Sequence, residues 1–204
     1  MSKIKYTKTE LKTQKDALEM FNRYLPTLTL KKQQLQTEIL KVAHAMEELE
    51  QKISGHNASL GKWNAVFAEE VHIEKMLSAE KVNTTEENVA GIDMPVFASI
   101  DFREEEYDLI KMPLWVDYGI TALKESIELK VKHEIFERQL ALLREELRIT
   151  TQRVNLFEKV KIPEAKDNIR RINIVLGDMQ TAAVVTGKIS KNKIEKKHEI
   201  GLKQ

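Results

Sequence analysis

From Leu11 to Phe67, apolar residues recur every seven positions without a slip of phase. One series is Leu11, Leu18, Leu25, Lys32, Ile39, Met46, Ile53, Leu60 and Phe67. The other, three residues on, is Gln14, Phe21, Leu28, Leu35, Val42, Leu49, His56 and Trp63. Fourteen of these seventeen positions are apolar in a chain that is 42% apolar, so the enrichment belongs to the stripe. A repeat of seven held this long predicts a helix with a narrow apolar stripe, the seam of a coiled coil. Thr7 or Thr9 can cap it, and Glu10 suits its first turn. Pro26, Gly55 and Gly61 weaken a helix. The phase nevertheless survives all three, which predicts one helix, kinked at Pro26 and running to about Ala79.

The pattern changes over 81–118. Val82-Asn83-Thr84-Thr85 stops the helix. Asn88 to Phe97 mixes β-branched and aromatic residues with Gly91 and Pro95, and Ile100 and Phe102 alternate with Asp101 and Arg103. This predicts a short strand pair or an irregular excursion, closed by Pro113 and Gly119. A second helix is expected from Gly119–Thr121. Its seam reads Phe136, Leu140, Leu143, Leu147, Thr150, Val154, Phe157, slips by one residue, and resumes as Ile162, Ala165, Ile169, Ile172, Leu176, Met179, Ala183. Pro163 stands at the slip, where a helix would kink or restart. The stripe fades after Val185, and Lys188, Lys191, Lys193, Lys196 and Lys197 form a basic end.

Neither stripe can stay exposed, so the two helices are expected to fold back on each other. The expected fold class is all-α, a long antiparallel two-helix coiled coil with a short central excursion. Its divisions are a first helix over 1–80, the excursion over 81–118, and a second helix with a basic tip over 119–204. The seam is expected to hold Leu28, Leu35, Val42 and Leu49 against Leu143, Leu147, Val154, Ile169, Ile172 and Leu176. Narrow stripes build spacers rather than pockets, which points to transmission or spacing rather than catalysis.

Charge sharpens this division. Residues 1–53 carry 10 Lys/Arg against 7 Asp/Glu, 54–118 carry 5 against 13, and 119–204 carry 18 against 12. An acidic middle between basic arms points to different partners for each. A nucleic-acid binder is more often basic overall with interleaved aromatics, so at net +1 and 6% aromatic no nucleic-acid partner is expected. The absence of Cys leaves no disulfide framework or thiolate metal site and fits a reducing cytosol. Met1-Ser2-Lys3-Ile4-Lys5 leads into no apolar h-region, so no secretory signal is expected. No run approaches about 18 apolar residues, so no membrane span is expected.

Catalytic patterns are sparse. Gly55 to Lys62 has the outline of a phosphate-binding loop, but five residues separate the glycines, and Trp63 stands where Ser or Thr would hold magnesium. Glu69 with His72 and Glu195 with His198 have the spacing of a di-iron helix, which requires four converging helices. His44, His56, His72, His133 and His198 are scattered, and His56 falls on the seam, where a polar residue sets register. Ser54, Ser59, Ser78, Ser99, Ser126 and Ser190 lack a nucleophile-elbow setting. No catalytic, cofactor-binding or metal-binding residue is therefore expected. The Glu104-Glu105-Glu106 run reads as a solvated loop, or as an electrostatic dock for a basic partner.

Thr150 to Pro163 contains Arg153-Val154-Asn155, then Glu158, then Ile162-Pro163, followed by Ile169 and Ile172. This stretch resembles the signature of the central-stalk D-subunit family of V-type ATPases. Thr7 to Leu11 is similar to that family's opening, with Tyr6 in place of a proline. Leu28 to Leu35 is similar to its Leu-x-x-Lys stretch, and Asn88–Pro95 with Pro113–Gly119 to its central excursion. Pro26 and the weakly charged Leu176–Ala183 depart from the pattern and fit a divergent bacterial branch. The resemblance marks Arg153, Val154, Asn155, Glu158 and Pro163 as family-motif residues. It implies a rotor shaft whose terminal end enters a head of catalytic A and B subunits, where other chains handle ATP, so that no cofactor is held here. It also implies that the excursion lies toward the small F subunit of the central stalk and a membrane-rotor cap subunit. The location implied is cytoplasmic and peripheral to a membrane. Two other readings compete: a coiled-coil scaffold or tether, commonly a parallel homodimer, and a helical-bundle enzyme with a di-metal centre.

Overall fold

The computed structural model describes residues 4–62, 76–105 and 112–201, with side chains described as far as Lys196. Trp63, Phe67, Glu69, His72 and Glu106 lie outside the described residues. The framework is all-α, two long helical stretches running antiparallel, and the excursion between them in sequence is a β-hairpin.

Helix α1 spans Lys8–Gly61. Of the two expected caps, Thr7 is the one used: its Oγ1 accepts the Glu10 backbone N–H at 3.2 Å. The Glu10 carboxylate in turn accepts from Gln14 Nε2 at 2.9 Å. The helix continues through Pro26, which is exposed on its outer face. The chain divides into two compact units, one made of 1–30 with 151–204 and the other of 31–150.

In the 31–150 unit the hairpin consists of β1, Leu77–Val89, and β2, Ile92–Glu104. Leu77 to Ala79, expected as the last residues of the first helix, instead pair with Glu104, Arg103 and Phe102. Burial explains this outcome. Leu77 is 6% exposed and joins a core with Val116 and Ile120, with Phe102, Trp115 and Leu123 packed around it. The turn places Ala90 and Gly91 at φ 53° and 79°. Two positive values are what a two-residue type I′ turn demands. Asn88 closes the turn, accepting the Gly91 N–H at 3.2 Å and donating to Asp93 Oδ1 at 2.6 Å. The pairing register shifts at Glu80 and again at Ala98, and these bulges add twist.

Helix α2, Val116–Leu156, starts slightly ahead of the expected Gly119 because Val116 is only 1% exposed and anchors that core. A second core joins Leu35 of α1, Met94 of β2 and Leu143 of α2. Lys31 meets Glu146 at 2.7 Å, Glu50 meets His133 at 3.3 Å, and His56 meets Ser126 at 2.8 Å. Partners fall in number along α2 as they rise along α1, so the pairing is antiparallel.

In the other unit, α2 passes into a π-turn, Phe157–Lys161, and then helix α3, Ile162–Gly201. Of the two outcomes expected at Pro163, a kink or a restart, the restart is not seen. Leu156 and Ile162 both keep α-helical dihedrals, and the helix does not restart. The Ile162 N–H bonds to the Phe157 carbonyl, five residues back. That widened turn absorbs one extra residue, which is the slip in the apolar pattern. Gln14 lies 3.3 Å from Asn168, and the Phe21 ring lies 5.1 Å from that of Phe157, again in antiparallel order. Among the described residues, no helix is long and apolar enough to cross a membrane.

Candidate functional site: seam, hairpin and outer face

The helix seam gathers most of the buried side chains, and the period of seven explains why. Within 31–150, Leu35, Leu49 and Leu143 are buried, and Val42 and Leu147 are half-buried. Within 1–30 and 151–204, Val154 and Ile172 are buried, and Leu28, Ile169 and Leu176 are half-buried. Beyond Leu176 the pattern of burial stops. Met179, expected on the seam, is 56% exposed, and Ala183 is exposed as well. The antiparallel register supplies the reason. Gln14 sits opposite Asn168, so α1, starting at Lys8, runs out of residues about two turns further along α3. Val184, Val185, Ile189 and Ile194 are also exposed.

Of the family-motif residues, Val154 faces the seam, while Arg153, Asn155, Glu158 and Pro163 are exposed. The nearby pair Glu145 and Arg148 is exposed. Their bidentate contact, at 2.7 and 2.9 Å, holds the Glu145 carboxyl below and the Arg148 guanidinium above their usual values, mainly through the hydrogen bond itself.

The polar seam position His56 makes three contacts among the described residues. Its Nε2 lies 2.8 Å from Ser126 Oγ and 3.1 Å from the Ala122 carbonyl, and its Nδ1 lies 3.4 Å from Glu125. Ser, His and Glu in that order have the outline of a nucleophilic triad. The proton assignment argues against one. Ser126 donates to the Ala122 carbonyl at 2.9 Å, so its oxygen accepts from His56, and Nε2 is a donor rather than a base. The arrangement ties α1 to α2 at one register.

The hairpin is held against the helices, not carried free. Met94 is 4% exposed in the Leu35–Leu143 core, and Gln139 Nε2 donates to the Pro95 carbonyl at 2.6 Å. The Lys132 ammonium sits 4.8 Å from the Phe97 ring centroid, and Lys124 meets Glu104 at 2.5 Å. Asn83 donates to Ser99 and Asp101. The outer surface keeps Glu80, Glu86, Glu87 and Glu105 exposed. Sequence reasoning missed Gln139 and Lys132. Neither breaks a pattern in α2, and their roles arise only from the docking of β2.

Gly55 and Gly61 lie in α1, where an added Cβ would meet nothing within 4 Å among the described residues. Glu195 is exposed and lies 3.8 Å from Lys191. Among the described residues, no group of three or more carboxylates and imidazoles gathers in a metal-holding arrangement.

Residues 10–192 match the family model of the ATP synthase D subunit. The chain is 50% identical over 204 residues to the V-type ATP synthase D subunit of Borreliella burgdorferi, covering 99% of this chain and 100% of that protein. It is 35% identical to the protein of that name from Chlamydia muridarum, covering 97% and 99% respectively. With the Chlamydia caviae protein of the same name the identity is 33%, covering 97% of each.

Proposed function

Because this chain belongs to the D-subunit family of ATP synthases, we propose that it is the rotor shaft of a V-type ATP synthase, passing torque between the catalytic head and the membrane ring. The chain is a subunit of that complex. In this reading it is non-catalytic, holds no cofactor, and sits on the cytoplasmic side, peripheral to the membrane. Its partners are the A and B subunits of the head, the small F subunit of the stalk and the cap of the membrane rotor. The terminal end faces the head, and the acidic hairpin faces the stalk partners.

One observation carries the reading: a single chain supplies both strands of its own antiparallel seam. A shaft present as one copy needs internal pairing, because a single unpaired helix would bend before it passed torque. A tether commonly gains its second strand from another copy. The buried groups are apolar packing and register contacts, which suit stiffness rather than chemistry.

The test is the double change Ile169→Ala with Ile172→Ala in the reconstituted complex. Removing buried aliphatic groups costs roughly 2–5 kcal/mol for each site, depending on how far the site relaxes. Ile172 is fully buried and Ile169 only half, so the second site contributes less. ATP hydrolysis by the head is expected to persist while ions moved per ATP fall. A folded variant with a normal ratio of pumping to hydrolysis would refute the shaft reading.

A further inference from the structure

The apolar spacing of the second helical stretch is interrupted once, between Phe157 and Ile162, and those two residues are joined by the i to i+5 hydrogen bond. Deleting one residue between them would make the repeat continuous from Phe136 to Ala183. The chain therefore keeps an insertion that seam packing does not need. Pro163 holds it in place. It has no N–H to offer the carbonyl of Lys159 or Glu158, and its ring would clash with the former in a regular α-turn. The widened turn relieves that clash.

α1 is weakened on the other side of the same aromatic pair. Phe21 packs on Phe157, and the next residue, Asn22, is the one whose carbonyl loses its helical donor to Pro26. Thr29 Oγ1 donates back to the Leu25 carbonyl at 2.9 Å, a contact that bends helices. Both helices thus lack backbone hydrogen bonds beside one aromatic pair.

We propose that the π-turn and the Pro26 turn form a compliant joint centred on Phe21 and Phe157, where this helix pair twists and opens more readily than along the seam on either side. On the shaft reading above, twist would concentrate there between strokes. The joint itself is a property of the isolated chain and can be tested without that reading.

The experiment is native-state hydrogen exchange on the full-length protein. Amides 158–162 and 22–25 are expected to exchange about tenfold faster than those of 168–174 and 34–40. Two variants follow. In the first, deletion of Val160 with Pro163→Ala closes the π-turn, and the contrast on that helix should vanish while the Tm rises by several degrees. In the second, Pro26→Ala with Pro163→Ala keeps the extra residue and restores both donors, and should reduce the contrast several-fold even where the deletion fails to fold. Equal exchange across joint and flanks in the native protein overturns the proposal. So does a contrast that survives the second variant unchanged. Within the whole complex, angular spread of a bead on the rotor during pauses should narrow in the second variant. An unchanged spread together with a lost exchange contrast overturns the joint's role under torque and leaves the shaft reading to its own test.

Discussion

Thr150 places a hydroxyl in the seam at 1% exposure, and its Oγ1 has no hydrogen-bond partner among the described residues. Thr29, Thr37 and Thr121 turn their hydroxyls back to the carbonyl four residues earlier, and Thr150 does not. A buried hydroxyl without a partner costs roughly 1–3 kcal/mol, and replacing it with a group of the same shape recovers much of that. Thr150→Val is therefore expected to raise the urea midpoint with an unchanged slope. A lower midpoint would mean that the hydroxyl is satisfied by water in solution. The polar pair Gln14 and Asn168 is a different case, since each offers the other a partner at 3.3 Å and together they fix one register. Thr150 is legible as a seam position from spacing alone. That its hydroxyl goes unpaired is not, because the partner depends on how the side chain rotates once its neighbours close around it.

At the scale of elements, the hairpin stands apart from the helices in how much the sequence reveals. The seam of α1 follows its spacing closely: every repeat position from Leu11 to Leu60 is buried or half-buried, Lys32 and His56 included. The hairpin gives weaker signals. β1 is mostly polar and exposed, so it lacks the alternation of a half-buried strand, and its turn is Ala90-Gly91 rather than the usual Asn-Gly. Leu77 to Ala79 suit a helix locally and become strand only through Val116 and Phe102, which are distant in sequence. The phase slip is visible in the sequence, but its cause is not, since a proline at a slip signals a break more often than a π-turn. Two predictions belong to this scale. Ala90→Asn, placing a residue that tolerates the left-handed region at φ 53°, should stabilise the protein by up to about 1 kcal/mol in thermal melts. Met94→Ala should destabilise it by roughly 2–5 kcal/mol, because the cavity opens between Leu35 and Leu143. A Met94→Ala cost near zero would make the hairpin an independent arm.

At the scale of the whole molecule, the informative region is the part of α3 that packs on none of the described residues. From Gly177 to Lys196 every described side chain is exposed, yet Met179, Val184, Val185, Ile189 and Ile194 are apolar, and Lys188, Lys191, Lys193 and Lys196 lie among them. An isolated helix of this length is marginal in water, because most helical stability in proteins comes from packing one face. Exposed lysines contribute little by themselves, so Lys191 and Lys193 can be replaced with small effect on folding. Removing residues 180–204 is therefore expected to leave the melting temperature of the isolated chain nearly unchanged. On the shaft reading, the same truncation should weaken assembly with the A and B subunits, since it removes the exposed apolar residues that would pack against the head. The two measurements separate the roles. A large fall in melting temperature would place these residues in the fold of the chain itself. Unchanged assembly, measured by co-purification with the head at matched concentration, would remove the terminal end from the interface proposed for it.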